Sequence, residues 1–192
     1  IDNNNAKNVT IMGGGFIGCE VAENLCSAGL KVTLIQSKNQ VMTPFDYDMA
    51  QILHKEFVDN GIDLILQDRI TNIYTDKVIL KSGRVIKSDL VIIAIGVAPE
   101  TYLAEKSGLE IGESGGIKVN HNYQTSDKNI FAVGDAIEVY NRLTHKPTRL
   151  AMAGPAQRQA RSAADFIYGI NNINKGVICS CAIKIFGLNA AC

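Results

Sequence analysis

Runs rich in β-branched and other apolar residues recur at positions 9–12 (VTIM), 31–35 (KVTLI), 62–66 (IDLIL) and 90–95 (LVIIAI), each reading as a buried-type strand. The unbroken 90–95 run has the character of a strand inside a parallel sheet, ended by Gly96 and Pro99. Between the first two runs, Ile17, Val21 and Leu25 repeat at helical spacing, and Gly29 stops that helix after Ala28. Between the second and third, Met49, Ile52, Leu53 and Phe57 share one face of a helix that Asp46 caps and Gly61 ends. Residues 70–73, 78–80 and 85–86 read as short meander strands, with Ser82-Gly83 as a hairpin turn. Residues 8–99 therefore predict an α/β domain: a Rossmann-like three-layer βαβαβ unit with a β-meander crossover, closed by a central strand.

Past residue 99 the rhythm changes. Gly115-Gly116 turns into an apolar stretch at 117–119; residues 125–128 lead to a strand at 130–133, which runs into Gly134-Asp135-Ala136. A helix is expected after Gly154, with Pro155 in its first turn, where a missing N–H costs nothing. Ala156, Ala160, Ala163, Ala164 and Ile167 would form its packed face, and Gly169 its stop. The loose alternation from 177 to 186 predicts a strand whose partners are not in this chain.

Composition narrows the options without choosing one. With 192 residues, 46% apolar, the chain has room for one domain or one and a half around a sizeable core. Lys plus Arg equals Asp plus Glu at 19 each, so the basic surplus that a nucleic-acid or anionic-lipid partner calls for is absent. No apolar run approaches the roughly 20 residues of a membrane helix, and the leading IDNNNAK lacks a signal-peptide core. Five cysteines, an odd number without framework spacing, suit a reducing cytoplasm. The chain starts just before a buried-type strand and stops in mid-pattern, so it is expected to be a piece of something longer.

The chemistry concentrates at residues 8–20, NVTIMGGGFIGCE. A strand runs into Gly13-x-Gly15-x-x-Gly18 and then a helix, which is the dinucleotide-binding fingerprint. Gly13 allows the sharp turn, Gly15 leaves no Cβ between backbone and pyrophosphate, and Gly18 lets helix and strand pack closely. The helix that follows turns its unpaired N–H groups and positive dipole end to the phosphates.

Three separated segments, GGGFIGCE at 13–20, AIGVAPET at 94–101 and TSDKNIFAVGDA at 125–136, together resemble the flavin-dependent pyridine nucleotide–disulfide oxidoreductases. LAMAGPAQRQARSAADFI at 150–167 and GVICSCAIKIFGLNAAC at 176–192 are similar to the coenzyme A–disulfide reductase and NADH oxidase branch. The resemblance implies an NAD(P)H domain at 8–99, the second half of an FAD domain at 100–170, and the start of a dimerisation domain at 176–192. It also implies a redox-active cysteine and a first FAD fingerprint upstream of this domain, so no catalytic residue is expected within these residues. The implied parent is a homodimer passing electrons from NAD(P)H through FAD to a small disulfide, a persulfide or O2. Two other readings stand beside it: a binding-only nucleotide module, and a parent that reduces a protein carrier such as rubredoxin, against which 176–192 speaks.

On the same resemblance, Glu20 lies by the nicotinamide, Phe16 can cover the empty nicotinamide pocket, and Ile17 shares their turn. Gly96 belongs to the nucleotide side. Gly134 and Asp135 hold the FAD ribityl chain, and Ala153 approaches the flavin ring. Gln36 departs from the fingerprint, which usually has an acidic residue there for the adenine-ribose hydroxyls. A neutral amide still bonds a diol without repelling a 2′-phosphate, and Ser37 and Lys38 are placed to contact one. Both coenzymes remain admissible, with NADH the expectation. Cys19 is expected to be a small packed residue. Cys179 and Cys181 make no zinc set, and no metal is expected. His54, His121 and His145 lack acid or cysteine partners at recognisable spacing. Arg158 and Arg161 read as solvated or paired charges.

Overall fold

A computed structural model describes residues 6–170 and 176–192. In chain order the elements are β1 (Asn8–Met12), α1 (Phe16–Ser27), β2 (Lys31–Gln36), α2 (Tyr47–Asp59), β3 (Asp63–Leu66), β4 (Ile70–Ile73), β5 (Lys77–Leu80), β6 (Val85–Lys87) and β7 (Leu90–Ile93). They continue with α3 (Tyr102–Lys106), β8 (Val139–Asn141), β9 (Lys146–Thr148), α4 (Ala153–Ile167), β10 (Ala182–Ile185) and β11 (Leu188–Ala191). Two compact units result: the residues up to Gly96 together with Ser180–Cys192, and those of Val97–Cys179.

The first unit is built on a parallel sheet of order β3-β2-β1-β7. Alternation along each strand sends side chains to opposite faces. Val9, Ile11, Val32 and Leu34 meet Leu25, Leu53 and Phe57 on the helix side. Ile35 and Ile65 turn the other way, onto Val78, Leu80 and Ile86 of the antiparallel β4-β5-β6 meander. Helices, sheet and meander are thus the three expected layers. Right-handed crossovers stepping in one direction put α1 and α2 on the same face. Ile11, Leu34 and Phe57 are completely enclosed, and burying each stabilises by about 1.5–3 kcal/mol.

Several sequence expectations need correction here. The 90–95 run is not a central strand: β7 pairs only with β1 and lies at the sheet edge among the described residues. Ile93 and Ile95 are 62% and 64% exposed. An unbroken apolar run reports burial potential, not how many strands flank it. The buried face of α2 is Ala50, Leu53, His54 and Phe57, while Met49 and Ile52 are 46% and 51% exposed. Counting His54 as polar shifted the phase by one position. Asp46 occupies the N-cap of α2 without a side-chain cap bond.

The terminal strand has its partner within the chain. β10 pairs antiparallel with β11 through a two-residue Phe186-Gly187 turn, both at positive φ, 49° and 111°. Phe186 gave no glycine-type turn signal, so the hairpin was invisible in the pattern. Ile183 and Ile185 join the helix-side core, and Phe186 meets Phe57 edge-on at 6.3 Å.

In the second unit, Tyr123, Ile137, Val139 and Ala163 form the core. The strand expected at 130–133 and the apolar stretch at 117–119 make only isolated bridges, Phe131 to Gln124, and Ile117 to Ile111 and Ile137. The β8-β9 ribbon was not anticipated, because Pro147 reads as a strand breaker; a two-stranded ribbon is all edge and tolerates it. α4 begins at Ala153, with Pro155 its third residue. Its buried positions are Gln159, Ser162 and Ala163, whereas Ala160, Ala164 and Ile167 are exposed. The alanines marked small volume, and the polar Gln159 carries the packing.

Candidate dinucleotide site

The glycine loop joins the C-terminal end of β1 to α1, and its three fingerprint glycines do different work. Gly13 sits at φ 111°, donates its N–H to the Ile35 carbonyl at 2.8 Å, and has no room for a Cβ against the Ala94 carbonyl oxygen. A Cβ on Gly18 would overlap the Gly13 carbonyl oxygen. Both positions are therefore fixed by packing within the unit. Gly15 differs: nothing lies within 4 Å of where its Cβ would stand, and its φ of −84° suits any residue. The fold does not require that glycine.

Gly15 is also the N-cap of α1, and the first intrahelical bond runs from the Cys19 N–H to the Gly15 carbonyl at 2.9 Å. The N–H groups of Phe16, Ile17 and Gly18 thus have no acceptor inside the helix. No acidic residue stands in that first turn to offset the positive dipole end. An open Cβ position over a ring of N–H donors fits a diphosphate.

The other predicted residues sort around this loop. Phe16 packs partly against the helix-side core, and Ile17 is 58% exposed. Glu20 is exposed on α1 and lines a cavity of about 330 Å³ with Ala182, Lys184 and Asn189 of the hairpin. Gln36 ends β2, its Cβ 3.3 Å from the Cβ position of Gly14, and its Oε1 accepts the Ser37 N–H at 2.9 Å. Ser37 and Lys38 are exposed beside it, and Gly96 is exposed at φ 103°. Cys19 is buried, its thiol 3.5 Å from the Gly14 carbonyl, and burial, then the Glu20 charge, pushes its pKa up to about 12. It is a packed thiol, not a nucleophile.

Spacing gave no sign of the segment that covers Gly14. Met42 donates its N–H to the Gly14 carbonyl at 2.7 Å, and Val41 closes over the Gly14 Cα. Val41 in turn donates its N–H to Nε2 of His54 at 3.1 Å, while Nδ1 of His54 meets Gln51 Oε1 at 3.2 Å. That pattern fixes the neutral ring with its proton on Nδ1, and burial holds the His54 pKa below its ordinary value. His54 is an enclosed structural acceptor, neither solvated nor a helix cap.

In the second unit, Gly134 at φ 87° donates its N–H to Oε1 of Gln159 at 2.7 Å. Asp135 and Ala153 are exposed. A cavity of about 610 Å³ is lined by Arg142, Arg158, Arg161 and Tyr123 but by none of Gly134, Asp135 and Ala153. Among the described residues no group of three His, Cys, Asp or Glu side chains is placed to hold a metal ion, and no helix is long and apolar enough to cross a membrane.

Comparison with known proteins agrees with this geometry. The family model for pyridine nucleotide-disulphide oxidoreductases matches residues 1–160. The chain is similar to the coenzyme A disulfide reductase of Staphylococcus haemolyticus, 33% identical over all of this chain and 44% of that protein. It is 36% identical to the NADH oxidase of Methanocaldococcus jannaschii, over 96% of this chain and 42% of that one. The crystal structure of reduced Bacillus anthracis CoADR-RHD superposes with a TM-score of 0.97 at 43% identity, covering 100% of this chain and 35% of that one. The chain spans less than half the length of each of these relatives. With a glycine loop, sheet order and family match that all agree, the chain belongs to the pyridine nucleotide-disulphide oxidoreductase family.

Proposed function

We propose that this chain holds NAD(P)H at the Gly13–Gly18 loop, as the coenzyme-binding portion of an oxidoreductase. The open space at Gly15 above the first turn of α1 is the observation that carries the reading. The first-turn N–H groups take the diphosphate, and Gln36 turns its amide to the adenine-ribose hydroxyls. Glu20, facing the cavity beside the hairpin, positions the nicotinamide. Residues 8–99 serve as the NAD(P)H domain, 100–170 as the second half of an FAD domain, and 176–192 as the start of a dimerisation domain. Gly134, Asp135 and the α4 start at Ala153 would hold FAD, which supplies the two-electron acceptor for nicotinamide hydride when bound.

For the parent protein, a dimer working in a reducing cytoplasm, the acceptor is a small disulfide or persulfide, or O2. The names of the relatives support that class: one is a coenzyme A disulfide reductase and one an NADH oxidase. A second reading, that this chain by itself only binds the coenzyme, is favoured by Cys19, the thiol beside the glycine loop, whose burial keeps it from acting as a redox group at that site.

Calorimetric titration of the purified chain with NADH and with NADPH tests the proposal. Saturable binding of one molecule per chain is expected, with NADH the tighter ligand. A folded chain that takes up neither coenzyme would overturn the reading.

A further inference from the structure

The open end of the β10-β11 hairpin carries two cysteines that the coenzyme reading leaves unused. Cys181 precedes β10 and Cys192 follows β11, one step beyond the Ala182–Ala191 pair. Each donates its backbone N–H to the other's carbonyl, at 2.9 Å in both directions. They are therefore a directly opposed, hydrogen-bonded cross-strand pair. In such a pair the Cα atoms lie about 5.5 Å apart with side chains on one face, inside the Cα span of a disulfide but with the Cβ atoms wider than its usual separation of roughly 3.5–4.5 Å, so closing the bond draws the two strand ends together. Their Sγ atoms stand 3.0 Å apart, both in the thiol form.

The remaining cysteines have other partners. Cys19 is enclosed against Gly14, Cys26 donates to the Asn60 carbonyl at 3.2 Å, and Cys179 accepts from Nδ2 of Asn141 at 3.4 Å. Within the pair the two thiols are not equivalent. Cys181 shares the inner face with Ile183 and Ile185 and packs against the helix-side core, whereas Cys192 is exposed.

We propose that Cys181 and Cys192 form a redox dithiol that low-molecular-weight disulfides oxidise, with Cys192 the attacking and Cys181 the resolving thiol. The Cys192 thiolate attacks one sulfur of RSSR; the other leaves as thiolate and takes up the proton Cys192 gave up, becoming RSH. The Cys181 thiolate then attacks Sγ of Cys192, breaking the mixed disulfide and expelling the second RSH. In sum, two protein thiols lose two electrons and two protons, and RSSR becomes two RSH. The new bond ties the open end of the hairpin, opposite the Phe186-Gly187 turn. Because Ala182, Lys184 and Asn189 wall the Glu20 cavity, oxidation would fix that wall. The inference rests on the hairpin alone and survives failure of the coenzyme reading.

Incubation of the chain with oxidised glutathione, followed by alkylation in denaturant, proteolysis and mass spectrometry, tests it. The expected product is a single internal link between Cys181 and Cys192, with Cys19, Cys26 and Cys179 alkylated. In Cys181→Ser the reaction should stop at a glutathione adduct on Cys192, and a Cys26→Ser control should behave as the native chain does. Two unlinked thiols, separate glutathione adducts on both residues, or a Cys181→Ser chain without a persistent adduct would each overturn the proposal.

Discussion

Val41 and His54 clamp the segment that covers the glycine loop: the Val41 N–H points at the His54 Nε2 from 3.1 Å while its side chain lies over Gly14. Burial lowers the His54 pKa from 6.5, and a proton on Nε2 would set two donors against each other. A depressed folded pKa means stability that is full above 6.5 and lost as the pH falls from 6.5 through the lower folded value. Chemical unfolding of the native chain should weaken across that window. In His54→Phe, which leaves the Val41 N–H without its acceptor, stability at pH 8 should fall by about 1–3 kcal/mol. The loss below pH 6.5 should also disappear. An unchanged pH profile in the variant would show that His54 is not the titrating group.

Gly15→Val separates binding from folding. The added side chain enters open space, and Val tolerates the extended backbone there, so stability should drop by no more than about 1 kcal/mol, the scale of a poorer N-cap. Coenzyme affinity should fall at least tenfold, about 1.4 kcal/mol. Gly18→Ala is the opposite case, since its Cβ overlaps the Gly13 carbonyl, and should cost about 1–3 kcal/mol of stability. Calorimetry beside urea unfolding reads both quantities. A Gly15→Val chain that binds as well as the native one would remove the proposed site.

How far the sequence foretold this depended on whether a feature is written in one local stretch. The β1-loop-α1 unit, the meander and the three-layer core were legible, because strand alternation, helical period and the glycine spacing are all local. The partner of β10 was not, since Phe186 adopts a positive φ that its type does not advertise. The buried face of α2 slipped because His54 is held inside by a bond to a residue 13 positions away. Gln159 was overlooked for the same reason, its partner Gly134 being 25 positions off. Polar side chains that pack through one long-range hydrogen bond leave no period behind. The candidate site residues from Gly13 to Gly18 and Gln36 do meet at one end of the sheet.

Asp89 ties the start of β1 to the turn before β7. Its Oδ2 accepts the Lys7 and Asn8 N–H groups at 3.0 and 2.8 Å and Nδ2 of Asn8 at 2.8 Å. The bonds from Asn8, then Lys7, hold its pKa at about 2, below the usual 3.8. The contribution is therefore present above pH 3.8 and lost as the pH falls through about 2. Hydrogen exchange at the Lys7 and Asn8 amides should accelerate, relative to the intrinsic rate, on acidification through that interval. In Asp89→Ala the two amides should be unprotected already at neutral pH, and equal protection in both chains would refute the tie.

Gln159 provides the corresponding test in the second unit. Its side chain is 3% exposed, and its Oε1 accepts the Gly134 N–H at 2.7 Å, pinning the glycine that precedes Asp135 onto α4. Gln159→Leu keeps the volume but leaves that N–H without an acceptor, at a cost of about 1–3 kcal/mol. Gln159→Glu retains the oxygen and should preserve the loop at neutral pH, offset in part by placing a charge in an enclosed position. The Gly134 amide reports the difference directly: its hydrogen exchange should speed up in the Leu variant and remain slow in the Glu variant. If both variants exchange alike, the bond does not hold the loop, and the geometry of Asp135 must be set by something other than α4.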